Sequence, residues 1–458
     1  MGFKPQAESS SRLKPTERWE RQVSEDGMGL LNRAANWVMG RDATPAQRAE
    51  DRVQDARLKQ HLMPTWEEGE EGGRMTLSMG PQHPSTHGVL RLEVELEGER
   101  VLRADPDVGY LHTGIEKTFE TLNYEQGCVL PPRMDYLAIE YCTWAYCMSV
   151  ERLLDIKCPP RAEYARIIIG ELTRLSSHLV WLGTHALDIG AMSVFLYGFR
   201  EREMISDIIE MVSGDRMHAH YFRPGGLATD LPAGFEQAVQ IVLDIFPGRI
   251  DEYERLLTKN PIWMERTQGV GAITAEKALA LSITGPTLRS AGLPWDLRKT
   301  QPYSIYDAFE FDIPVGTRGD VYDRYLVRME EMRQSLRIVE QALRDLPGGR
   351  FRIDNHKVAP PPKEEIYLSM EALIHHFKLW TEGARVPPGE AYVPVESPRG
   401  EMGYYIVSDG SAKPCRVHMR SASFANLQAI PAMSVGGLVA DLVAVIASLD
   451  PVLGEVDR

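Results

Sequence analysis

From Asp107 to Thr258 the sequence is written almost wholly in a helical period, and this stretch limits the fold more than any other feature. Apolar residues recur at helical spacing over Thr113–Thr121, Met134–Leu154, Arg161–Leu187, Ala191–Val212, Pro232–Phe246 and Arg249–Thr258. Cys158-Pro159-Pro160 separates the second and third segments, because proline lacks the amide proton a helix interior needs. The loop Asp215–Gly226, rich in histidine and arginine, ends the fourth at a Pro-Gly-Gly turn signal. A chain with this much helix in its first half must bury the helices against one another.

Strand patterns gather at two distant places. Leu90, Leu92, Val94 and Leu96 alternate with Arg91, Glu93, Glu95 and Glu97, the mark of a half-buried strand, and the turn at Glu97-Gly98-Glu99 predicts a hairpin returning through Val101-Leu102. Ala391–Arg420 reads as antiparallel strands with turns at Ser397–Gly400 and Ser408–Ser411. Pro302–Pro314 is strand-like and aromatic, while Val321–Leu346 and Ile366–Trp380 read as helices. Within Val321–Leu346, the run Arg324, Arg328, Glu330, Glu331 and Arg333 reads as a solvated or partner-facing stripe. The expected architecture is α+β, a mainly helical bundle core with a small antiparallel or mixed β layer.

Met433–Leu449 is the most apolar run, but it falls short of a membrane span and carries Asp441, so it reads as a buried helix. Hydrophobic residues at 43% and charged residues at 25% suit a sizeable core. A net charge of -14 argues against a general nucleic-acid binder. The five cysteines, Cys128, Cys142, Cys147, Cys158 and Cys415, form no CxxC pair and no zinc-type spacing, which points to a reducing compartment. Residues 1–74 form a charged extension in which Thr44-Pro45-Ala46-Gln47 has the form of a capping box, predicting a polar helix over 45–62. The domain proper is expected over 75–458.

Gly80–Gly88 packs His83 and His87 with Pro81 and Pro84 between glycines. It is a stiff loop, either a ligand seat or a capped turn whose imidazoles bond nearby backbone. Pro84 argues against a helix there, and with it against an i, i+4 metal pair. His178 and His185 share one face of the third helix and read as core histidines, whereas Asp188 ends that helix ahead of Gly190. GxGxxG after a strand, GxxxxGK[ST], HExxH and GxSxG are all missing.

The blocks GPQHPSTHGVLRL, GYLHTGIEK, RMDYL, THALDIGAM, MHAHYFRPGG, WDLRKTQPY, PVGTRGD, SMEALIHHFK, SPRGEMG, YIVSDGSAKP and GEVDR run in order from about residue 75 to Arg458. In them the chain resembles the D (49-kilodalton) subunit of respiratory complex I, the proton-pumping NADH:quinone oxidoreductase. The resemblance extends to the large subunit of nickel-iron hydrogenases and implies that fold. In the hydrogenases, RxCGxC and DPCxxC elements hold the metal; here Asp135, Ala138, Val452 and Glu455 stand at the four thiolate positions. Soft thiolates are what a nickel-iron centre needs, so the resemblance implies the fold without the metal.

What the complex I resemblance implies is a quinone substrate. Its assignments fall on His87 and Tyr136 as hydrogen-bonding partners of the quinone headgroup, and on Asp188 as the carboxylate that pairs with the headgroup histidine and raises its pKa. Arg133 and His218 match residues beside a tetranuclear (4Fe-4S) iron-sulfur cluster held by a neighbouring subunit. His83 is given a supporting role. Thr113 stands where some mitochondrial relatives have arginine, so that arginine's role does not carry over. The implied partners are the other hydrophilic-arm subunits and the membrane arm, with the chain peripheral on the cytoplasmic side of a bacterial plasma membrane.

Overall fold

The computed structural model describes residues 65–67, 74–82 and 87–458. The expected helix over 45–62 and the support expected of His83 lie outside the described residues. Among the described residues, seven principal helices, α1 (Ile139–Leu154), α2 (Pro160–Asp188), α3 (Met192–Ser213), α4 (Phe235–Leu257), α5 (Val321–Arg344), α6 (Met370–Thr381) and α7 (Val439–Leu449), combine with small antiparallel sheets in an α+β fold.

The first sheet is a meander of β1 (Thr65–Glu67), β2 (Arg74–Met79), β3 (Arg91–Glu97) and β4 (Arg100–Asp107). Alternation sets its orientation: Leu90, Leu92, Val94 and Leu96 are buried and pack with Ile430, Leu442, Ile446 and Leu449 from the C-terminal helices. The second sheet, β5 (Gly389–Ser397), β6 (Gly400–Ser408) and β7 (Arg416–Arg420), lies on α1 through Val395, Met402, Tyr404 and Ile406. Helix α2 is the central rod. Its Ile167, Ile168, Leu172, Leu175, Leu179 and Leu182 are buried, and α1, α3, α5 and α7 all pack on it.

Several boundaries differ from the pattern reading for physical reasons. Met134–Leu154 is broken at Asp135–Ala138, between a short helix Pro131–Met134 and α1, where the Asp135 carboxylate accepts from the Leu137 and Ala138 amides and holds the chain in a turn. Pro232–Phe246 and Arg249–Thr258 are one helix, α4, which carries Pro247 inside it. Pro302–Pro314 is no strand: apart from a 3-10 turn at Tyr306–Ala308 it is irregular, with Tyr303 and Tyr306 packed on Trp144. Met433–Leu449 is divided into Ile430–Ser434 and α7. Gly436, at φ 88°, turns the chain so that the Gly436 amide donates to the Val101 carbonyl and the Val101 amide to that of Gly437.

The largest difference lies on α5. Arg324, Arg328 and Glu331, expected in a solvated stripe, are buried against α2, while Arg333 reaches outward to Asp251 and Glu254 on α4. The α2 face opposite them is itself polar. Glu171, Arg174, His178 and His185 sit there at i, i+3, i+7 and i+14, all fully buried. Among the described residues, no helix is long and apolar enough to cross a membrane.

Candidate functional site

The two segments that flank the lost thiolates meet although they lie more than 300 residues apart. A Cβ on Gly454 would stand 2.4 Å from the Met134 carbonyl oxygen and 3.2 Å from Tyr136 Cε1, so only glycine admits this approach. Of the four thiolate positions, Ala138 and Val452 are buried apolar residues, and Asp135 and Glu455 are buried carboxyls.

The charge at the centre is a guanidinium. Arg399, in the turn between β5 and β6 and fully buried, donates from Nη1 to both Asp135 oxygens at 3.2 and 3.0 Å. Its Nε donates to the Asp450 carbonyl oxygen at 3.0 Å and its Nη2 to Ser177 Oγ on α2 at 3.2 Å. The Asp450 carboxylate lies 3.3 Å from Nε. One side chain thereby ties the α1 entry, the centre of α2 and the C-terminal segment together. Asp135 Oδ1 also accepts from the Leu137 and Ala138 amides at 3.2 and 2.9 Å, which fixes the backbone on both sides of Tyr136. Glu455 accepts from the Ser423 amide at 3.0 Å, and burial, then Asp135, pushes its carboxyl up to about 7.

His87 sits at the start of β3's approach in a left-handed turn, φ 52°. Its Nε2 is buried without a hydrogen-bond partner among the described residues. Burial, with a smaller contribution from Arg399, lowers the imidazole to about 4, so it is neutral at physiological pH. Tyr136 is half-buried, and its phenol is pushed up by burial, which keeps it protonated and able to donate.

Asp188 closes α2, half-buried, its carboxyl raised to about 6 by burial. The upward shift of His87 expected from an Asp188 pair is not found: the imidazole is shifted down, because desolvation dominates and the charge that acts on it is Arg399. The α2 residue that feels His87 electrostatically is His185, one turn before Asp188.

Arg133 and His218 both adjoin Pro132, Arg133 along the chain and His218 through a hydrogen bond. His218, in a left-handed turn at φ 61°, donates Nδ1–H to the Pro132 carbonyl at 3.0 Å, and Arg133 is exposed with its guanidinium on the Val129 carbonyl. His178 and His185 are core histidines as expected, but the partner of His178 Nε2 is the Glu331 carboxylate, at 3.0 Å, rather than a backbone carbonyl.

The region 188–458 matches the family model described as "Respiratory-chain NADH dehydrogenase, 49 Kd subunit". The chain is 64% identical over 387 residues to the D 2 subunit of the NADH-quinone oxidoreductase of Roseiflexus sp. (strain RS-1), covering 84% of this chain and 93% of that protein. The chain belongs to the 49-kilodalton subunit family. At 62%, over the same 84% of this chain and 94% of the relative, it is similar to the corresponding D 2 subunit of Chloroflexus aurantiacus. The D 1 subunit of Herpetosiphon aurantiacus is 58% identical over 395 residues, covering 86% of this chain and 93% of the relative. A 49-kilodalton subunit is one component of an oxidoreductase complex, so the other subunits of that complex are its partners.

Arg399 is the site residue that sequence reasoning missed. It stands inside the SPRGEMG block as an ordinary turn residue, and the signal was its sequence context, a basic residue between apolar strands opposite two lost metal ligands. Cys142 lies against Tyr404 and Cys158 against Glu151, and among the described residues no four-thiolate set of the kind an iron-sulfur cluster needs is gathered.

Proposed function

We propose that this chain forms the quinone-reducing end of NADH:quinone oxidoreductase, with His87 and Tyr136 donating hydrogen bonds to the two sides of the quinone headgroup. The observation that carries this reading is the junction itself: Gly454 pressed on the Met134–Tyr136 segment, locked by Arg399, with the His87 Nε2 left without a partner among the described residues. Both donors are protonated and uncharged at neutral pH, so they bind a neutral carbonyl without desolvating an ion.

Reduction of a quinone to a quinol takes two electrons and two protons. As negative charge develops on the headgroup oxygens, the Tyr136 phenol can release its proton to the oxygen it holds, while the neutral His87 imidazole holds the other oxygen through its N–H and passes a proton to it only as its second nitrogen takes one up from solvent. Asp188, at about 6, carries the charge change from the end of α2 toward the membrane subunits. Electrons arrive from an iron-sulfur cluster in a neighbouring subunit, beside the face on which Arg133 and His218 are joined through Pro132. The chain sits peripherally on the cytoplasmic side of the membrane, coupling this electron transfer to proton translocation.

Replacing Tyr136 with phenylalanine removes one donor and leaves the ring. Quinone reductase activity should fall about 100-fold, in line with the loss of one positioned acid or donor. NADH oxidation by an artificial acceptor that bypasses this subunit should be retained. Unchanged quinone turnover in the Tyr136→Phe complex would sink the assignment.

A further inference from the structure

His87 and Tyr136 lie far apart in the chain, and one short turn joins the elements that place them. His87 leads directly into β3. Arg91, the first residue of β3, donates from Nη1 to the Asp107 carboxylate at 3.4 Å and to the Tyr110 hydroxyl at 3.3 Å. The Tyr110 hydroxyl in turn donates to the same Asp107 oxygen at 3.0 Å. Gly109–His112, which follows β4, is closed into a turn by a 3.1 Å bond from the His112 amide to the Gly109 carbonyl. Tyr110 therefore fastens this turn to the strand that His87 enters.

The other side of the turn grips the C-terminal segment. The short helix Leu453–Asp457 carries Gly454, whose approach to the Met134 carbonyl and the Tyr136 ring leaves no room for a side chain. Three residues on, the half-buried Asp457 carboxylate accepts from the Gly109 amide at 2.8 Å through Oδ1 and from the Leu111 amide at 2.6 Å through Oδ2. The Asp457 carbonyl, which can only accept, takes the His112 Nδ1–H at 2.6 Å. The remaining polar anchors of this segment lead away from the first sheet. Ser423 holds the Val452 amide at 3.2 Å and Glu455 at 3.0 Å, and the Arg458 guanidinium sits on the Met419 carbonyl and 5.0 Å from the Phe424 ring centroid. Leu453 and Val456 share an apolar cluster with Leu90 and Leu92, a contact that gives proximity without direction. Charge-assisted hydrogen bonds supply the direction.

We propose that Asp457 is a positioning residue that sets the spacing between His87 and Tyr136, by locking the Gly109–His112 turn onto the helix that holds Gly454 against Tyr136. The inference rests on the quinone-site reading above. A headgroup held from two sides needs both donors at hydrogen-bond distance at once, so a shift of the helix lengthens one bond although both residues remain.

The test is a double-mutant cycle in the assembled complex, with KM for quinone as the readout. Asp457→Ala should raise KM about tenfold, the scale of a sub-ångström to 1 Å misplacement, while NADH oxidation by an artificial acceptor holds. In the Tyr136→Phe background the same change should raise KM less than about twofold, because the hydroxyl it places is gone. An unchanged KM in Asp457→Ala, or an equal rise in both backgrounds, overturns the proposal and leaves the quinone site standing. If Tyr136→Phe itself leaves quinone turnover unchanged, the quinone-site reading fails. Hydrogen exchange then judges the clamp separately: the Gly109–His112 peptide and the peptide carrying Tyr136 should both exchange faster in Asp457→Ala, and a Tyr136 peptide that is unaffected overturns it. Should Asp457→Ala not assemble, Asp457→Asn, which keeps the shape and one acceptor oxygen, is read by the same criteria.

Discussion

Removing Arg399 tests the junction most severely. The guanidinium is fully buried and serves three groups: both oxygens of Asp135 at 3.2 and 3.0 Å, the Asp450 carbonyl at 3.0 Å and Ser177 Oγ at 3.2 Å. In Arg399→Met the volume is nearly kept, but the Asp135 carboxylate keeps only its bonds from the Leu137 and Ala138 amides and no opposite charge. Breaking a buried pair from one side costs about 3–5 kcal/mol, most of it the penalty of the charge left behind. Adding Asp135→Asn removes that charge while an amide oxygen can still accept from the Leu137 and Ala138 amides, so the double variant should recover about half of the loss. Urea unfolding of the purified chain, followed through the buried Trp144, Trp181 and Trp263, measures both variants against the native protein. A loss below about 1 kcal/mol in Arg399→Met, the size of an ordinary hydrogen bond, would refute the reasoning, as would strict additivity in the double variant.

The buried histidines make a signed prediction in pH. His87 and His178 are lowered to about 4 and His185 to about 3, so below pH 6.5 the unfolded chain binds protons that the folded chain refuses. Their contribution to stability is whole above 6.5 and is lost as pH falls toward 4, and His185→Phe should remove about one proton from the slope of unfolding free energy against pH in that window. An identical slope in variant and native protein would count against the burial argument. At Gly454, substitution by alanine places a methyl 2.4 Å from the Met134 carbonyl oxygen. The C-terminal segment must then move off Tyr136, and the KM for quinone should rise while NADH oxidation by an artificial acceptor holds; an unchanged KM would show that the close approach does not shape the site.

What the sequence revealed followed from one-sided burial. The alternation Leu90–Leu96 reports the face of β3 because one side meets the core and the other meets solvent. On α5 the same logic misled, since periodicity shows that Arg324, Arg328 and Glu331 share a face but not what that face meets. It meets an equally polar face of α2, with Glu331 between Arg289 and His178. Arg399 was invisible for another reason: its partners Asp135 and Asp450 lie 264 and 51 residues away. The break at Gly436-Gly437 was written in the composition, yet the apolar run around it concealed a turn that pairs with β4. For His87, Tyr136 and Asp188, the residues alone favoured structural roles, and the family resemblance singled them out. The junction of Gly454 with Tyr136 gives two separate motifs a common place.

The central claim is that the quinone headgroup lies between His87 and Tyr136. Photolabelling of the assembled complex with an azidoquinone, followed by peptide mapping, tests it most directly. Label is expected on the peptides that carry His87 and Tyr136, lost on competition with unlabelled quinone. Competable label found only elsewhere in the complex, with these two peptides clean, would contradict it.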